Sequence, residues 1–335
     1  MIETITRERL VALLKAAAGK RIAVIGDAML DVYLRGDVDR ISPEAPVPVV
    51  HVTERKLALG GAANVAQNIT AIGAACDIVC AIGDDPAGVL VRQMLHEVAA
   101  GTRTVVRVRR QTSQKTRVVA RSQQLVRYDE EDDADFTGGE MDDLIAAALE
   151  AVDNADAVVL EDYNKGLLVP ALISPVISRA KSRGIPVVVD PKYRNFFSYA
   201  GATIFKPNRR ELESALGAEV DLDDPEALPA TFERLGVEHL LLTLGEEGMA
   251  LISSDGEIGR IPTTAREVYD VVGAGDTVTA YLATMLAAGG TPDQAAVIAN
   301  FAAGVEIGKL GAATVHTDEV IAAYDNFSES AASGR

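Results

Sequence analysis

An aspartate, Asp276, lies just after a glycine-rich turn and at the start of an apolar helical pattern. The turn begins at Asp270 and contains Gly273 and Gly275. Unpaired backbone N–H groups at a helix start attract anions, and glycines let a phosphate approach them closely. A carboxylate beside such an anion hole suits a base that deprotonates a hydroxyl attacking a phosphoryl group. The alternative is a plain tight turn, in which Asp276 only complements the helix dipole.

Two segments near the N-terminus suit contacts with a polar ligand. Asp31 follows the first apolar run, and its carboxylate can accept hydrogen bonds from sugar hydroxyls. A loop or cap carboxylate is the alternative for Asp31. Gly60 and Gly61 precede Asn64 at the start of a helical pattern, where paired glycines let a ligand pack against the backbone. An ordinary helix start is again the alternative, because asparagine is a good N-cap residue.

Two lysines are predicted at the carboxyl ends of buried strands. Lys165 and Lys192 each follow a short apolar run by a few residues. Because α/β sheets bind ligands at this edge, either ammonium group could neutralise a substrate phosphate. Solvated loop lysines are the commoner explanation. Arg121 and Arg127, from an earlier β segment, are further candidates for the same phosphate.

Two other sites have both a structural and a ligand-binding interpretation. Asn208 and Glu211 have the spacing of a helix capping box, yet Glu211 could equally hold a water molecule on Mg²⁺. Thr243, Gly245 and Gly248 follow a strand pattern, where the glycines either make a hairpin or flank the ribose and phosphates of a nucleotide. The spacing alone leaves both alternatives open at each site.

Length and composition predict a large folded core and exclude several functions. The chain has 335 residues, 48% hydrophobic content and a net charge of -17, which disfavours nucleic acid and anionic membranes as partners. It has no long apolar run and no signal-peptide pattern, so we expect a cytoplasmic protein. The four histidines lack ligand spacing. Cys76 and Cys80 would lie about 13 Å apart along one strand, too far for a disulfide.

Short apolar runs alternate with helical patterns along most of the chain. Strands are predicted over 21–26, 75–82, 157–160, 186–190, 203–205 and 239–244. Helices are predicted over 64–72, 89–98, 140–152, 170–183, 209–216, 225–235 and 274–288. This alternation predicts an α/β fold in which a doubly wound, mostly parallel sheet is flanked by helices, as a single domain over 1–335.

Two segments break the alternation. Residues 32–52 contain three prolines and no helical period, which predicts short strands with an irregular loop. Residues 103–129 alternate apolar and polar side chains over 104–109, 116–121 and 125–128, as in a half-exposed antiparallel sheet. We therefore expect a small β-lid beside the α/β core.

In their order along the chain, these motifs resemble those of the ribokinase-like (PfkB) carbohydrate kinases. Each motif alone is weak, but the ordered set is specific. The resemblance extends over about 21–318. It rests on Asp31 and on the segments 60–64, 208–211, 243–245 and 270–276. It implies the ribokinase-like fold and an ATP-dependent phosphotransferase acting on a sugar hydroxyl.

Within that family, the segments 40–49, 60–68 and 162–166 resemble the D-glycero-D-manno-heptose-7-phosphate kinase branch. Its members phosphorylate the anomeric C1 hydroxyl of the heptose on the route to the ADP-heptose of lipopolysaccharide core. Some carry a fused nucleotidyltransferase domain with an H-x-G-H motif, which this sequence lacks, so we expect the stand-alone kinase. Val272 stands where many relatives have threonine, so the turn would keep its shape and lose a hydroxyl.

The resemblance also implies a role for each matching residue. Asp276 would be the base, while the backbone amides of Gly273, Ala274 and Gly275 would hold the transferred phosphoryl group. A set of polar and glycine residues would bind the sugar phosphate: Asp31, Gly60, Gly61, Asn64, Asn164, Lys165 and Lys192. A second set would bind ATP: Asn208, Glu211, Thr243, Gly245, Gly248 and Asn300. Mg²⁺ would lie near Glu211 through water, and the lid would pair two copies into a homodimer.

Three other functions fit parts of the sequence. Another PfkB sugar or nucleoside kinase would share every motif outside the lid and residues 162–166. A non-catalytic sugar-binding protein would be expected to lack Asp276 or the neighbouring glycines, which are present. An NAD-dependent enzyme is disfavoured, because no G-x-G-x-x-G follows the first strand.

Overall fold

The computed structural model describes residues 5–121, 123–223, 228–264, 272–309 and 313–333. The helices are α1 (Arg7–Ala16), α2 (Ala62–Ile72), α3 (Pro86–Glu97), α4 (Gly138–Asp153), α5 (Pro170–Arg183), α6 (Arg209–Leu216), α7 (Leu228–Leu235), α8 (Ala274–Ala287), α9 (Pro292–Glu306) and α10 (Thr317–Ser333). The strands are β1 (Arg21–Gly26), β2 (Ala28–Ile41), β3 (Pro48–Gly61), β4 (Ala75–Val79), β5 (Ala81–Gly83), β6 (Val106–Val108), β7 (Gln114–Ala120), β8 (Gln123–Glu130), β9 (Ala157–Glu161), β10 (Val187–Asp190), β11 (Ile204–Phe205), β12 (His239–Thr243), β13 (Met249–Ser253) and β14 (Ile258–Ile261).

Eight strands form the central sheet in the order β14-β13-β12-β11-β10-β9-β1-β4. The strands from β12 to β4 are parallel, and β13 and β14 extend one edge as antiparallel strands. The carboxyl ends of the parallel strands therefore lie along one edge of the sheet, where α/β proteins bind ligands. The predicted α/β fold with a mostly parallel sheet is confirmed.

Burial on both faces of the sheet explains why its strands are continuous apolar runs. In β1, the four residues from Ile22 to Ile25 are 0% exposed. Successive side chains of a strand point to opposite faces, so β1 contributes to two cores. Ile22 and Val24 pack with residues of α2, α8 and α9, whereas Ala23 and Ile25 pack with residues of α4, α5 and α7. These two helical layers fix the strand ends that carry the polar residues.

The lid is a four-stranded sheet in the order β3-β2-β7-β8. β2 and β3 each have 14 residues and pair as one long hairpin. The prediction of short strands over 32–52 is therefore wrong in strand length. The prolines of this segment, at 43, 46 and 48, lie between the strands and at the first residue of β3, so they do not interrupt the ladder.

Two segments that were predicted as strands, 75–82 and 104–109, pair differently from the prediction. The run over 75–82 divides into β4, in the central sheet, and β5, which pairs with β6 in a separate parallel two-stranded sheet. β6 is therefore not part of the antiparallel lid, although its segment alternates apolar and polar residues. Alternation fixes which side chains share a face, but it does not fix the neighbouring strand. β7 and β8 do pair antiparallel, as predicted.

The described residues can be searched for a membrane-spanning helix and for a disulfide. No helix in the described ranges is long and apolar enough to cross a membrane. Cys76 and Cys80 are both buried as free thiols. The prediction that these two cysteines form no disulfide is confirmed.

Candidate active site

The aspartate that follows the glycine-rich turn is buried in the first turn of α8. Gly273 is the N-cap residue of this helix, and its φ of 97° is a conformation that favours glycine. Asp276 is 5% exposed. One of its carboxylate oxygens accepts a hydrogen bond from Asn64 Nδ2 at 2.7 Å, and the other accepts one from the Tyr163 hydroxyl at 2.9 Å. The carboxylate is therefore held in a fixed orientation.

The surroundings of Asp276 shift its pKa in the direction that suits the predicted base. Burial raises the pKa of Asp276 to about 6, although the hydrogen bonds from Asn64 and Tyr163 oppose that rise. A general base is most effective when its pKa is near the working pH. Asp276 is thus ionised at neutral pH and more basic than an exposed aspartate.

A cavity of about 890 Å³ lies at the N-terminal end of α8, a volume within the usual range for small-molecule sites. Three predicted groups of residues line this cavity. They are the catalytic residues Gly273, Ala274, Gly275 and Asp276, the ATP-binding residues Asn208, Glu211, Thr243, Gly245, Gly248 and Asn300, and the phosphate-binding Lys192. They come from separate helices and strand ends of the core. Asp270 and Val271, the first two residues of the predicted motif, lie outside the described residues.

Lys206 and Asp190, for which the sequence predicted no role, form an ion pair that lines this cavity. Lys206 Nζ lies 2.8 Å from Asp190 Oδ2, and both side chains are buried. A Cβ atom at Gly275 would lie only 3.6 Å from Lys206 Nζ, so the start of α8 passes close to the ammonium group. Burial opposes the charge of Lys206, but Asp190 and Glu161 raise its pKa, so it stays a cation. Positive charge is therefore available beside the first turn of α8, where the anion hole is predicted.

A buried glutamate, Glu161, completes an acidic group with Asp190 and Asp276. One carboxylate oxygen of each residue lies within 4.8 Å of those of the other two. Glu161 is 0% exposed, and neither of its carboxylate oxygens has a hydrogen-bond partner among the described residues. Burial raises the pKa of Glu161 well above its usual range, and the charges of Asp190 and Asp276 add to the rise. Mg²⁺ prefers carboxylate oxygens as ligands, so this group fits the predicted metal.

The predicted capping box at the start of α6 is formed. Asn208 Oδ1 accepts from the backbone N–H of Glu211 at 2.9 Å, and Glu211 Oε2 accepts from the backbone N–H of Asn208 at 2.9 Å. The second oxygen of Glu211 lies 2.7 Å from Lys192 Nζ. Both oxygens of Glu211 therefore contact protein groups. The water-mediated contact of Glu211 with Mg²⁺ stays a prediction.

The residues predicted to bind the sugar lie where the lid meets the core. Asp31 is 5% exposed, and its Oδ1 accepts from Arg117 Nη1 at 2.6 Å. A Cβ atom at Gly60 would lie 2.7 Å from Asp31 Oδ2, so only glycine allows this approach. Gly61, with φ 57°, is the N-cap residue of α2, whose residue Asn64 contacts Asp276. Asn64 thus connects these residues to Asp276 through its hydrogen bond, although Asp31, Gly60, Gly61 and Asn64 do not line the cavity beside α8.

Asn164 and Lys165 do not line the cavity beside α8. Asn164 has a φ of 55°, and its Oδ1 accepts from the backbone N–H of Arg194 at 3.3 Å. Lys165 extends toward the lid, where its Nζ lies 2.7 Å from Glu131 Oε1. Of the two predicted phosphate-binding lysines, Lys192 thus lies at the cavity and Lys165 lies at the lid. Which of them contacts a substrate phosphate stays a prediction.

Sequence reasoning missed several residues of the site. Glu161, Asp190 and Lys206 each lie at or just after the carboxyl end of a parallel strand, and Tyr163 lies two residues after Glu161 at the end of β9. Their position at the ligand-binding edge was the available signal. Arg117 gave no such signal, because it lies inside a lid strand and reaches Asp31 across the sheet.

Known proteins are similar in sequence to most of this chain. Residues 20–319 match the pfkB family of carbohydrate kinases. The bifunctional protein HldE of Rhodospirillum rubrum is 41% identical over 317 residues, which make up 94% of this chain and 64% of that protein. The bifunctional protein HldE of Citrifermentans bemidjiense is 43% identical over 321 residues, or 94% of this chain and 66% of that protein. The chain spans about two thirds of the length of these relatives, and the stand-alone form stays a prediction.

Solved structures share the fold at low sequence identity. A ribokinase from Arabidopsis thaliana, complexed with ribose and ATP, has a TM-score of 0.73 and 21% identity and covers 91% of this chain and 98% of its own. Phosphofructokinase-2 from Escherichia coli, in complex with potassium, has a TM-score of 0.75 and 19% identity, with coverage of 92% and 99%. The ribokinase-like fold is therefore confirmed. Since the family match extends over residues 20–319, the chain belongs to the pfkB family of carbohydrate kinases, as the motifs predict.

Proposed function

We propose that the protein transfers the γ-phosphoryl group of ATP to the anomeric C1 hydroxyl of D-glycero-D-manno-heptose 7-phosphate. The product would be heptose 1,7-bisphosphate, a precursor of the ADP-heptose used for lipopolysaccharide core. The observation that carries the proposal is the position of Asp276. Its side chain accepts a hydrogen bond from Asn64, a predicted sugar-binding residue, and it also lines the cavity that would hold the ATP phosphates. The choice of sugar is supported by segments 40–49, 60–68 and 162–166 and by relatives named HldE at 41% and 43% identity.

The first task of the site is to remove a proton from the sugar hydroxyl. Asp276 is ionised at neutral pH and lies between two fixed hydrogen-bond donors, Asn64 and Tyr163. Each oxygen keeps a further lone pair, so the carboxylate can accept the hydroxyl proton without losing its orientation. Asp31 and the backbone at Gly60 and Gly61 would orient the sugar so that its C1 hydroxyl faces Asp276.

The second task is to stabilise the phosphoryl group during transfer. The backbone N–H groups at Ala274 and Gly275 would face this group, and Lys206 would neutralise part of its charge. As the sugar oxygen bonds to phosphorus, the bond to the bridging oxygen breaks and ADP leaves with the electron pair. Closure of the lid would exclude water, which otherwise competes with the sugar as acceptor.

The metal would be held at the acidic group of Glu161, Asp190 and Asp276, of which Asp190 and Asp276 line the cavity. Glu161 and Asp190 would supply carboxylate oxygens, and Glu211 would contribute through water. Bound Mg²⁺ would neutralise charge on the nucleotide phosphates. Pairing of two copies through the lid is also part of the proposal. It is supported by apolar side chains that the lid exposes: Ile41, Val52 and Val126.

An acceptor screen tests the proposed substrate. ADP release would be measured with heptose 7-phosphate, the same heptose without phosphate, ribose, fructose 6-phosphate and a nucleoside. We expect kcat/KM for heptose 7-phosphate to exceed that for unphosphorylated heptose by at least about tenfold, because a charged phosphate contact contributes roughly 1.5–3 kcal/mol. Phosphorus NMR of the product should show the new phosphate on C1.

The outcome of this screen also distinguishes the proposed activity from the alternative, another sugar or nucleoside kinase of the pfkB family. Equal use of heptose and its 7-phosphate would contradict the 7-phosphate assignment. Preference for a different sugar or for a nucleoside would instead identify another activity within the pfkB family. Either result would leave the phosphotransfer mechanism at Asp276 in place.

A further inference from the structure

One face of the lid sheet carries an unusual number of cationic side chains. Asp31 of β2 lies opposite Lys115 of β7, and Lys115 lies opposite Asp129 of β8. Arg117, two residues along β7, lies opposite Arg127. Residues that are directly opposed, or two apart on a strand, point to the same face of a sheet. Lys115, Arg117 and Arg127 therefore share the face that carries Asp31.

A fourth cation reaches this face from the core. Lys165 Nζ lies 2.7 Å from Glu131 Oε1, and Lys115 Nζ lies 3.1 Å from Glu131 Oε2. One carboxylate therefore holds two ammonium groups, one from the core and one from the lid. The side chains of Lys115, Arg117 and Lys165 are each 13% exposed. Solvated surface lysines and arginines are far more exposed, so these charges point into the junction between lid and core.

The ion pairs at this junction do not balance in charge. Four cations, at positions 115, 117, 127 and 165, face three carboxylates, those of Asp31, Asp129 and Glu131. The protein as a whole carries a net charge of -17, so a local excess of positive charge is the opposite of its average surface. Lys115, Arg117 and Lys165 are partly desolvated, whereas Arg127 is 50% exposed. Three grouped, partly desolvated cations are suited to an anionic ligand that displaces their carboxylate partners.

A chain of contacts links this cluster to the base. The Tyr163 hydroxyl contacts Asp276, and a Cβ atom at Gly61 would lie 3.3 Å from the Tyr163 ring. The neighbouring Gly60 lies against Asp31, which in turn contacts Arg117. A sugar with its reactive hydroxyl at Asp276 and other hydroxyls at Asp31 would thus direct its far end to the cations of the lid.

We propose that Lys115, Arg117 and Lys165 bind a phosphate group at the end of the sugar that is remote from the reacting hydroxyl. The proposal rests on the proposed function, and it names the residues that would select a phosphorylated sugar. Binding would exchange contacts with Glu131 and Asp31 for contacts with the phosphate. Lys192 would have a separate role, because it pairs with Glu211 in the nucleotide cavity. Phosphate selection would then belong to the junction between lid and core.

The test uses the ratio of kcat/KM for heptose 7-phosphate to kcat/KM for unphosphorylated heptose. We expect Lys115→Gln and Lys165→Gln each to lower this ratio about ten- to a hundredfold, while KM for ATP stays unchanged. Lys115→Arg keeps the charge and should restore most of the ratio. Arg179→Gln is the matched control, since Arg179 forms an exposed ion pair with Asp153 between α5 and α4 and should leave the ratio unchanged. Thermal melting would confirm that each variant is folded.

Binding provides a second readout that does not depend on turnover. Isothermal titration of each variant with heptose 7-phosphate, in the absence of nucleotide, should show the same loss of affinity as the ratio. If Lys192→Gln lowers the ratio and the lid variants do not, the phosphate is bound at the nucleotide cavity and the proposal is wrong. If the wild-type protein itself shows no preference for the phosphorylated sugar, the proposed function is wrong. If the wild type shows the preference and the lid variants keep it, only the assignment of the phosphate to the lid residues is wrong.

Discussion

The predicted nucleotide end and the predicted sugar end of the candidate active site are built from different kinds of contact. At the nucleotide end, backbone N–H groups at the start of α8 lie beside the buried Lys206, all on the rigid edge of the parallel sheet. At the sugar end, ion-paired side chains such as Asp31 and Arg117 extend from the antiparallel lid. Backbone groups are the same in every sequence, whereas side-chain pairs change with each substitution. Under the proposed function, the core would fix the reaction and the lid would select the sugar.

The largest effect is expected from the residue that both ends share. Asp276→Asn removes the base and leaves the backbone amides of the anion hole, so kcat should fall about 10²- to 10⁴-fold. ATP affinity should change little, because the variant keeps the nucleotide end. Steady-state kinetics and a separate ATP-binding titration would measure the two quantities. Asp153→Asn, at an exposed ion pair, is the control for loss of a carboxylate. A loss of less than tenfold would show that Asp276 is not the base.

Tyr163 connects the two ends, and its removal should have an intermediate effect. Tyr163→Phe keeps the ring but removes the hydrogen bond to Asp276, so kcat should fall about ten- to a hundredfold. The same hydrogen bond lowers the pKa of Asp276, whose value is about 6, so its loss should raise that pKa. A base is active above its pKa, and the acid limb of the kcat/KM profile should therefore move to higher pH. The comparison of pH profiles would measure this shift.

Tyr193→Phe is the matched control for this variant, because Tyr193 is 73% exposed and does not line the cavity beside α8. Its pH profile should coincide with that of the wild type. A Tyr163→Phe enzyme with reduced kcat but an unmoved acid limb would contradict a hydrogen bond between Tyr163 and an ionised Asp276. In that case the hydroxyl would act only through packing.

The sequence predicted the residues that carry local motifs, and it did not predict the long-range side-chain pairs around them. Glycine turns, helix starts and strand ends are local features, so the sequence around Gly273 and Gly275 is enough to predict an anion hole. The order of these motifs along the chain also predicts the fold. The long lid hairpin was missed, because the prolines over 32–52 suggested interruptions, whereas two of them lie between the strands and Pro48 lies at the first residue of β3.

The contacts across the lid could not be predicted, because they depend on which strands are neighbours. Arg117 is 86 positions from Asp31 in sequence, and only the parallel pairing of β2 with β7 brings the two together. The sequence alone likewise shows the buried Glu161 only as the last residue of an apolar run. Its significance depends on its distance to Asp190 and Asp276, which lie on other elements. Long-range contacts of this kind leave no local pattern.

The smallest effect is expected at Glu211, which belongs to the nucleotide end but has a second, structural role. Glu211→Gln removes the ion pair with Lys192 and weakens the capping box, so stability should fall by about 0.5–1 kcal/mol, measured by denaturant unfolding. If Glu211 also contacts Mg²⁺ through water, kcat should fall a few-fold and raised Mg²⁺ should recover part of it. Glu213→Gln, on the same helix, is the control for the lost charge. Reduced stability with an unchanged dependence on Mg²⁺ would leave Glu211 with the capping role alone and assign the metal to Glu161 and Asp190.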